Sequence, residues 1–268
     1  MPSILTTSDS PKHFLEMRTS LIQKLLETEP FNAGKWQRLD VSESTAHDTY
    51  ELQQITLFYP MPETPREAIE FIQPDLPWAE GHFRERVAGE PVNPGAWHDK
   101  WPYHLNAEAL HQRDGKYDHN YMERFWPTSL MPQGYRFKTG DLSDVIELLI
   151  REPYTRQAYL PVWFPEDTGV VEGQRVPCTL GYQFLVRDNQ LHLSYHLRSC
   201  EAYRHFTNDV YMAIRLAQEV ADELILGWAS SGVQGAPQAL SMGNLHMTVG
   251  SFHGFVGDRD KLEELCND

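Results

Sequence analysis

The sequence predicts one compact α+β domain, and three observations predict it. Apolar residues recur at helical spacing in separate stretches from one end of the chain to the other. Alternating apolar runs, bounded by turn residues, stand between them and read as strands. No internal repeat, low-complexity tract or linker divides the 268 residues, and 41% apolar content is ample for one core.

The elements follow in order. SDSPKHFLEMRTSLIQKLLET opens with polar capping residues and a proline, then places Phe14, Leu15, Leu21 and Leu25 on one helical face. ELQQITLFYPMP (51–62) reads as a strand stopped by prolines. In TPREAIEFI, Thr64 precedes Pro65, and Glu67 stands three residues on, a capping box opening a short helix. PWAEGHFRERVAGE (77–90) reads as a helix that stops at Gly89. Residues 91–140 are irregular and rich in aromatics, a site wall or a surface insertion. GDLSDVIELLIREP (140–153) is a helix and RQAYLPVW (156–163) a strand. CTLGYQFLVRD and QLHLSYHLRS form a hairpin turning at Asp188-Asn189, with Leu191, Leu193, Tyr195 and Leu197 on one face and His192, Ser194, His196 and Arg198 on the other. A long amphipathic helix (208–225), a strand (239–255) and a closing helix complete the chain.

Bulk properties exclude some functions. A net charge of −15 argues against direct nucleic-acid binding, which needs clustered Lys and Arg, but leaves room for a few arginines around one small anion. No run of eighteen apolar residues is present, so no membrane span is expected. MPSILTTSDSPKHF lacks the features of a signal peptide, and three cysteines with no CxxC pair suit a reducing cytoplasm, the host's if a phage encodes the protein. His98, His104, His111 and His119 follow no metal-ligand spacing, so no metal is expected.

Chemistry concentrates at the hairpin. Cys178 starts one strand, Arg198 and Ser199 end its partner, and Asp209 opens the following helix. Antiparallel pairing brings the thiol to the guanidinium and hydroxyl. Arg and Ser together suit a phosphate, and an arginine beside a cysteine favours the thiolate.

These residues resemble the thymidylate synthase family. Its nucleophile segment runs Pro-Cys-His, three residues, then Gln-Phe; here PCTLGYQF puts Gln183 and Phe184 at the same spacing from Cys178. Its Arg-Ser-x-Asp is matched by RSCE, with Arg198, Ser199 and Glu201. EPYTRQAYLPVW matches the upstream phosphate-arginine segment through Arg156 and Trp163, with Gln157 where the family has a second arginine. LHMT matches the sugar-holding His-x-Tyr through His246, with Thr248 replacing the tyrosine. AEGHF matches the catalytic-glutamate helix through Glu80, and HNYMERFW an active-site loop through Tyr121.

The resemblance implies a mixed β-sheet with flanking helices, a sheet-to-sheet homodimer, and a pyrimidine nucleoside monophosphate whose phosphate is met by Arg156 of the second subunit. It implies methylenetetrahydrofolate as co-substrate, with Trp101 and Glu201 as contacts. It also implies covalent catalysis. Cys178 adds to ring carbon 6, carbon 5 becomes nucleophilic, and the transferred carbon ends as a methyl group by hydride or a hydroxymethyl group by water.

Base choice is expected at the position eleven residues after Arg198. The family's uracil-reading asparagine stands there; here it is Asp209, with Asn208 its neighbour. A carboxyl accepts from a cytosine amino group and, protonated, satisfies ring nitrogen 3. Thr179 replaces the family's histidine after the cysteine, and EELCND does not match the apolar end that closes the family's site, which favours water capture. The expectation is a deoxycytidylate 5-hydroxymethyltransferase. The alternatives are a cytidylate hydroxymethylase, a deoxyuridylate methylase or hydroxymethylase, and an inactive nucleotide-binding homologue.

Overall fold

The computed structural model describes residues 5–36, 39–103, 112–127, 140–168 and 175–267. Expectations for His104, His111 and much of the 91–140 wall fall outside them. Its frame is one six-stranded mixed sheet. The strands are β1 (Leu5–Thr7), β2 (Thr49–Pro60), β3 (Tyr159–Pro161), β4 (Thr179–Arg187), β5 (Gln190–Glu201) and β6 (Ser241–Phe255). They lie in the order β1-β2-β6-β5-β4-β3. β1 runs parallel to β2 and β6 parallel to β5; the other pairs are antiparallel.

The helices are α1 (Phe14–Leu26), α2 (Pro65–Ile72), α3 (Trp78–Val87), α4 (Tyr121–Phe125), α5 (Leu142–Arg151), α6 (Phe206–Ser231) and α7 (Arg259–Glu264). Parallel neighbours need a crossover, and α6 supplies it between β5 and β6. It runs six residues past the expected end at Ile225, because Trp228 is still buried, and it stops where Gly232 takes φ 62°. The capping box at α2 forms as expected, Thr64 and Glu67 bonding each other's backbone N–H. The strand expected over 156–163 is only Tyr159–Pro161. It is an edge, and Pro161 has no N–H to extend a ladder.

Leu191, Leu193, Tyr195 and Leu197 are buried, together with Ile55, Leu57, Leu245, Met247 and Val249 of the neighbouring strands. The opposite face, with His192, Ser194 and His196 on β5 and Phe58 on β2, is half-exposed. At one level of the sheet the alternation breaks in three adjacent strands together. Buried positions run 191–197 by odd numbers and then fall on Cys200; 245–249 give way to Phe252, and Ile55–Tyr59 to Leu52 and Tyr50. Gln54 sits at this break with φ 51°, and Gly250 has room for no side chain, since a Cβ there would stand 2.8 Å from the Arg198 carbonyl oxygen. A shared bulge re-aims three strands at once, and it does so beside Arg198.

Candidate active site

Cys178 stands just before β4, and Arg198 reaches across to it. The guanidinium donates from Nε to the Pro177 carbonyl at 2.8 Å and from Nη2 to the Val176 carbonyl at 3.1 Å, and lies 3.8 Å from Cys178 Sγ. Nε and Nη2 are thus engaged, which leaves the two N–H donors of Nη1 for a ligand. Burial nevertheless pushes the thiol above its ordinary pKa; Arg198 and Arg175 pull it down, and Asp209 pushes it further up. The expected thiolate-favouring effect of Arg198 is therefore present but outweighed by desolvation in the free protein.

Asp209 and Asn208 point different ways. Asp209 Oδ2 accepts from Cys200 Sγ at 3.6 Å, and burial raises its carboxyl to about 6, Arg86 opposing the shift. Its charge is felt at Cys178, Tyr121 and Tyr195. Asn208 instead ties down the entry to α3: its Oδ1 accepts from Asp75 N at 3.0 Å, and its Nδ2 donates to Asp75 Oδ2 at 2.8 Å and to the Arg204 carbonyl at 3.1 Å. A 100° step per helical residue separates the two side chains.

Tyr121, at the start of α4, joins the cluster. Its hydroxyl bonds Thr179 Oγ1 at 3.1 Å, and Thr179 bonds Tyr195 at 3.0 Å. Thr179 is fully buried. The residue after Cys178 thus joins two tyrosines.

Glu80 is not brought here. It bonds Arg215 from both oxygens at 3.1 and 3.2 Å, and also Tyr211 and Arg84, on the side of α3 that packs on α6. The face of α3 turned to the cluster carries Trp78, His82 and Arg86, at i, i+4 and i+8. Arg86 is 5% exposed, and its guanidinium lies 4.0 Å over the Tyr121 ring. Sequence reasoning missed it; the signal was a charged residue on the same stripe as a tryptophan and a histidine.

Rings line the adjoining wall. His82 stacks on Trp78 at 5.2 Å, Trp78 meets Trp101 at 6.0 Å, and Trp101 stacks on His205 at 5.1 Å. Burial drives His82 down to about 4 and His205 to about 3, so both are neutral donors or acceptors near pH 7. Of the seven buried side-chain polar atoms without a hydrogen-bond partner among the described residues, Trp78 Nε1, Arg86 Nε and Trp101 Nε1 are here, while two more, His82 Nδ1 and Glu85 Oε2, face each other at 3.6 Å. Such groups are costly to leave bare, so their concentration on one wall points to a ligand. Glu201 differs: its carboxylate accepts from the backbone N–H of Tyr203 and Arg204 at 3.1 and 2.6 Å, and burial raises it to about 7.

Ser199 Oγ lies 3.4 Å from His253 Nδ1. His246 and Thr248 lie on the half-exposed face instead: His246 against Phe58 at 5.8 Å, and Thr248 bonded to His196 at 2.8 Å. The sheet register explains this, because Ser251, not His246, stands opposite Ser199. His253, on β6 beyond the shared bulge, is the histidine that meets the Arg198–Ser199 end of the cluster; two histidines seven residues apart on one strand could not be told apart by spacing. Gln183 donates to the Arg156 carbonyl at 3.0 Å, and the exposed Arg156 lies there, five strand positions from Cys178.

No metal-ligating group of three or more His, Cys, Asp or Glu occurs among the described residues. A cavity of about 260 Å³ between Pro11, Glu63, Glu67 and Met242 lies at the opposite end of β6 and holds no nucleophile.

This sheet, with a cysteine at one strand's start and an arginine-serine pair at its neighbour's end, defines a thymidylate synthase-like fold, and comparison bears that out. Thermostable thymidylate synthase A from Bacillus subtilis matches with a TM-score of 0.62 at 17% identity, over 95% of this chain and 84% of that one. Two proteins described as "Putative thymidylate synthase" match in sequence. That of Methanococcoides burtonii is 29% identical over 129 residues, 48% of this chain and 52% of its own. That of Methanosarcina barkeri is 33% identical over 88 residues, 32% of this chain and 39% of its own. The chain thus spans about half or less of the curated relatives' length, and no family model matches it. The fold is that of thymidylate synthases, and the partial sequence matches are to proteins described as putative thymidylate synthases.

Proposed function

We propose that this protein transfers a one-carbon unit to carbon 5 of a pyrimidine nucleoside monophosphate, and that its substrate is deoxycytidylate, hydroxymethylated through a covalent Cys178 adduct. One observation carries the reading. The buried carboxyl in the field of Cys178 belongs to Asp209, and burial brings its pKa to about 6, so both protonation states are accessible near neutrality. Ionised, it accepts from the 4-amino group; protonated, it gives its proton to ring nitrogen 3 as the thiolate adds to carbon 6. Uracil carries N–H at that position and offers no acceptor to the acid.

Each remaining residue has a role under this reading. Arg198 and Ser199 take the phosphate, with His253 alongside. Arg198 also steadies the Cys178 thiolate. The Tyr121–Thr179–Tyr195 hydroxyl chain holds the wall behind the sulfur. The rings of Trp78, Trp101 and His205, with two unpaired indole N–H groups, fit a flat heteroaromatic co-substrate such as methylenetetrahydrofolate. When bound, it would supply the carbon at the oxidation level of formaldehyde. Glu201, whose oxygens are taken by the 203–204 backbone, would support this wall from behind. A second copy packed on the half-exposed sheet face would cover Phe58, 41% exposed, and bring its own Arg156 to the phosphate.

Release of tritium from carbon 5 of labelled dCMP, CMP and dUMP, with methylenetetrahydrofolate present, tests the reading. Release is expected fastest from dCMP. Preference for dUMP would overturn the base assignment, and preference for CMP the sugar.

A further inference from the structure

We propose that Arg86 is a catalytic residue of this site, its guanidinium donating to the carbonyl oxygen at position 2 of the pyrimidine ring. The role depends on the pyrimidine reading above and adds to it a residue that neither the motifs nor the spacing revealed.

The guanidinium is buried, fixed by its 4.0 Å contact with the Tyr121 ring, and its Nε has no hydrogen-bond partner. Its backbone is held too, since Trp126 Nε1 donates to the Arg86 carbonyl at 2.7 Å. A buried arginine with an unused donor, held on both sides, is preorganised for an acceptor. Its field reaches Asp209, Tyr121, Tyr182, His82 and His205, so it is the positive charge on the Asp209 side of the cluster, as Arg198 and Arg175 are at Cys178. The chemistry calls for such a charge. When the Cys178 sulfur bonds carbon 6, the displaced electron pair moves through carbons 5 and 4 onto nitrogen 3 and oxygen 2. Asp209 delivers its proton to nitrogen 3 and becomes a carboxylate. Arg86 keeps its protons, donates to oxygen 2 while charge develops there, and offsets the carboxylate on which that charge ends once nitrogen 3 is protonated.

The test compares dCMP with its 2-thio analogue, whose sulfur is a poor acceptor. Carbon-5 tritium release is measured for wild type, Arg86→Met and Arg86→Lys, with dCMP binding and thermal unfolding recorded beside it. Arg86→Met should lose about 10²–10³-fold in release, the usual effect of removing one preorganised donor. The wild-type preference for dCMP over the 2-thio compound should shrink with it, and Arg86→Lys should recover part of both. If Arg86→Met does not fold, the Lys variant's preference still reads the contact. An unchanged preference in a folded variant overturns the role of Arg86 alone. Absence of release from every nucleotide by the wild type overturns the pyrimidine reading and Arg86 with it.

Discussion

Cys200 directs its thiol at the Asp209 carboxyl across 3.6 Å, from the strand position just past the bulge that turns β5. Without the bulge, Cys200 would fall on the other face of β5 and Asp209 would lose its donor. The contact ties the residue expected to read the base to the strand that carries Arg198 and Ser199.

Cys178→Ala should abolish carbon-5 tritium release while nucleotide binding survives. Cys200→Ser keeps a donor for Asp209, and Cys266 lies far along the chain on the closing turn; each Ser variant should stay within a few-fold of wild type. Near-normal turnover in Cys178→Ala would end the covalent mechanism.

Alkylation of Cys178 by iodoacetamide, followed by peptide mass, reads the balance of charges around the thiol. Asp209 raises its pKa and Arg198 lowers it. Asp209→Asn should therefore speed alkylation at pH 7.5 and Arg198→Met should slow it. The opposite order would mean that the two charges do not act on this sulfur.

Asp209→Asn should also move substrate preference from dCMP toward dUMP, by up to several powers of ten where a buried polar contact is the discriminator. Asn208→Asp should instead loosen the Asp75 loop, where Asn208 makes its bonds, and leave the ratio of rates alone. A ratio that moves with Asn208 but not Asp209 would place the base reader one residue earlier.

The raised carboxyl has a cost in stability with a definite sign. In the folded protein Asp209 holds its proton up to about pH 6, whereas an unfolded aspartate releases it near 3.9. The folded state is thus favoured at low pH and loses that advantage as pH rises from about 4 through 6. Asp209→Asn should leave unfolding nearly unchanged at pH 4 and raise stability at pH 7.5, by up to ~3 kcal/mol. Equal effects at both pH values in chemical denaturation would contradict the shift.

Glu80→Ala should act on folding rather than on chemistry. It would strip Arg215, 2% exposed, of both carboxylate bonds. Leaving a buried arginine without its carboxylate costs roughly 3 kcal/mol, which urea unfolding would report. A folded variant with full stability and no turnover would return Glu80 to the catalytic set.

Mixing Arg156→Ala with Cys178→Ala chains tests the second subunit. Each variant alone should be inactive, and heterodimers should recover part of the activity. Heterodimers shown to form without recovery would remove Arg156 from a shared site.

Local pattern alone was enough for the hairpin, the Thr64–Glu67 cap, the long helix and the nearness of Cys178 to Arg198, because alternation, capping and antiparallel pairing act over short distances. The spacing from Arg198 to Asp209 was legible as well, though not which of Asn208 and Asp209 faces the thiol. Tertiary structure decided the rest. Which face of α3 meets the cluster depends on Arg215 claiming Glu80 from another helix, and that turns Arg86 inward. Which histidine of β6 meets Ser199 depends on strand register across a parallel pair, with 26 residues of helix and more between them in sequence. Whether the Cys178 thiol ionises depends on the competition between desolvation and two arginines, and burial is a property of the packed fold, not of the residues read one by one.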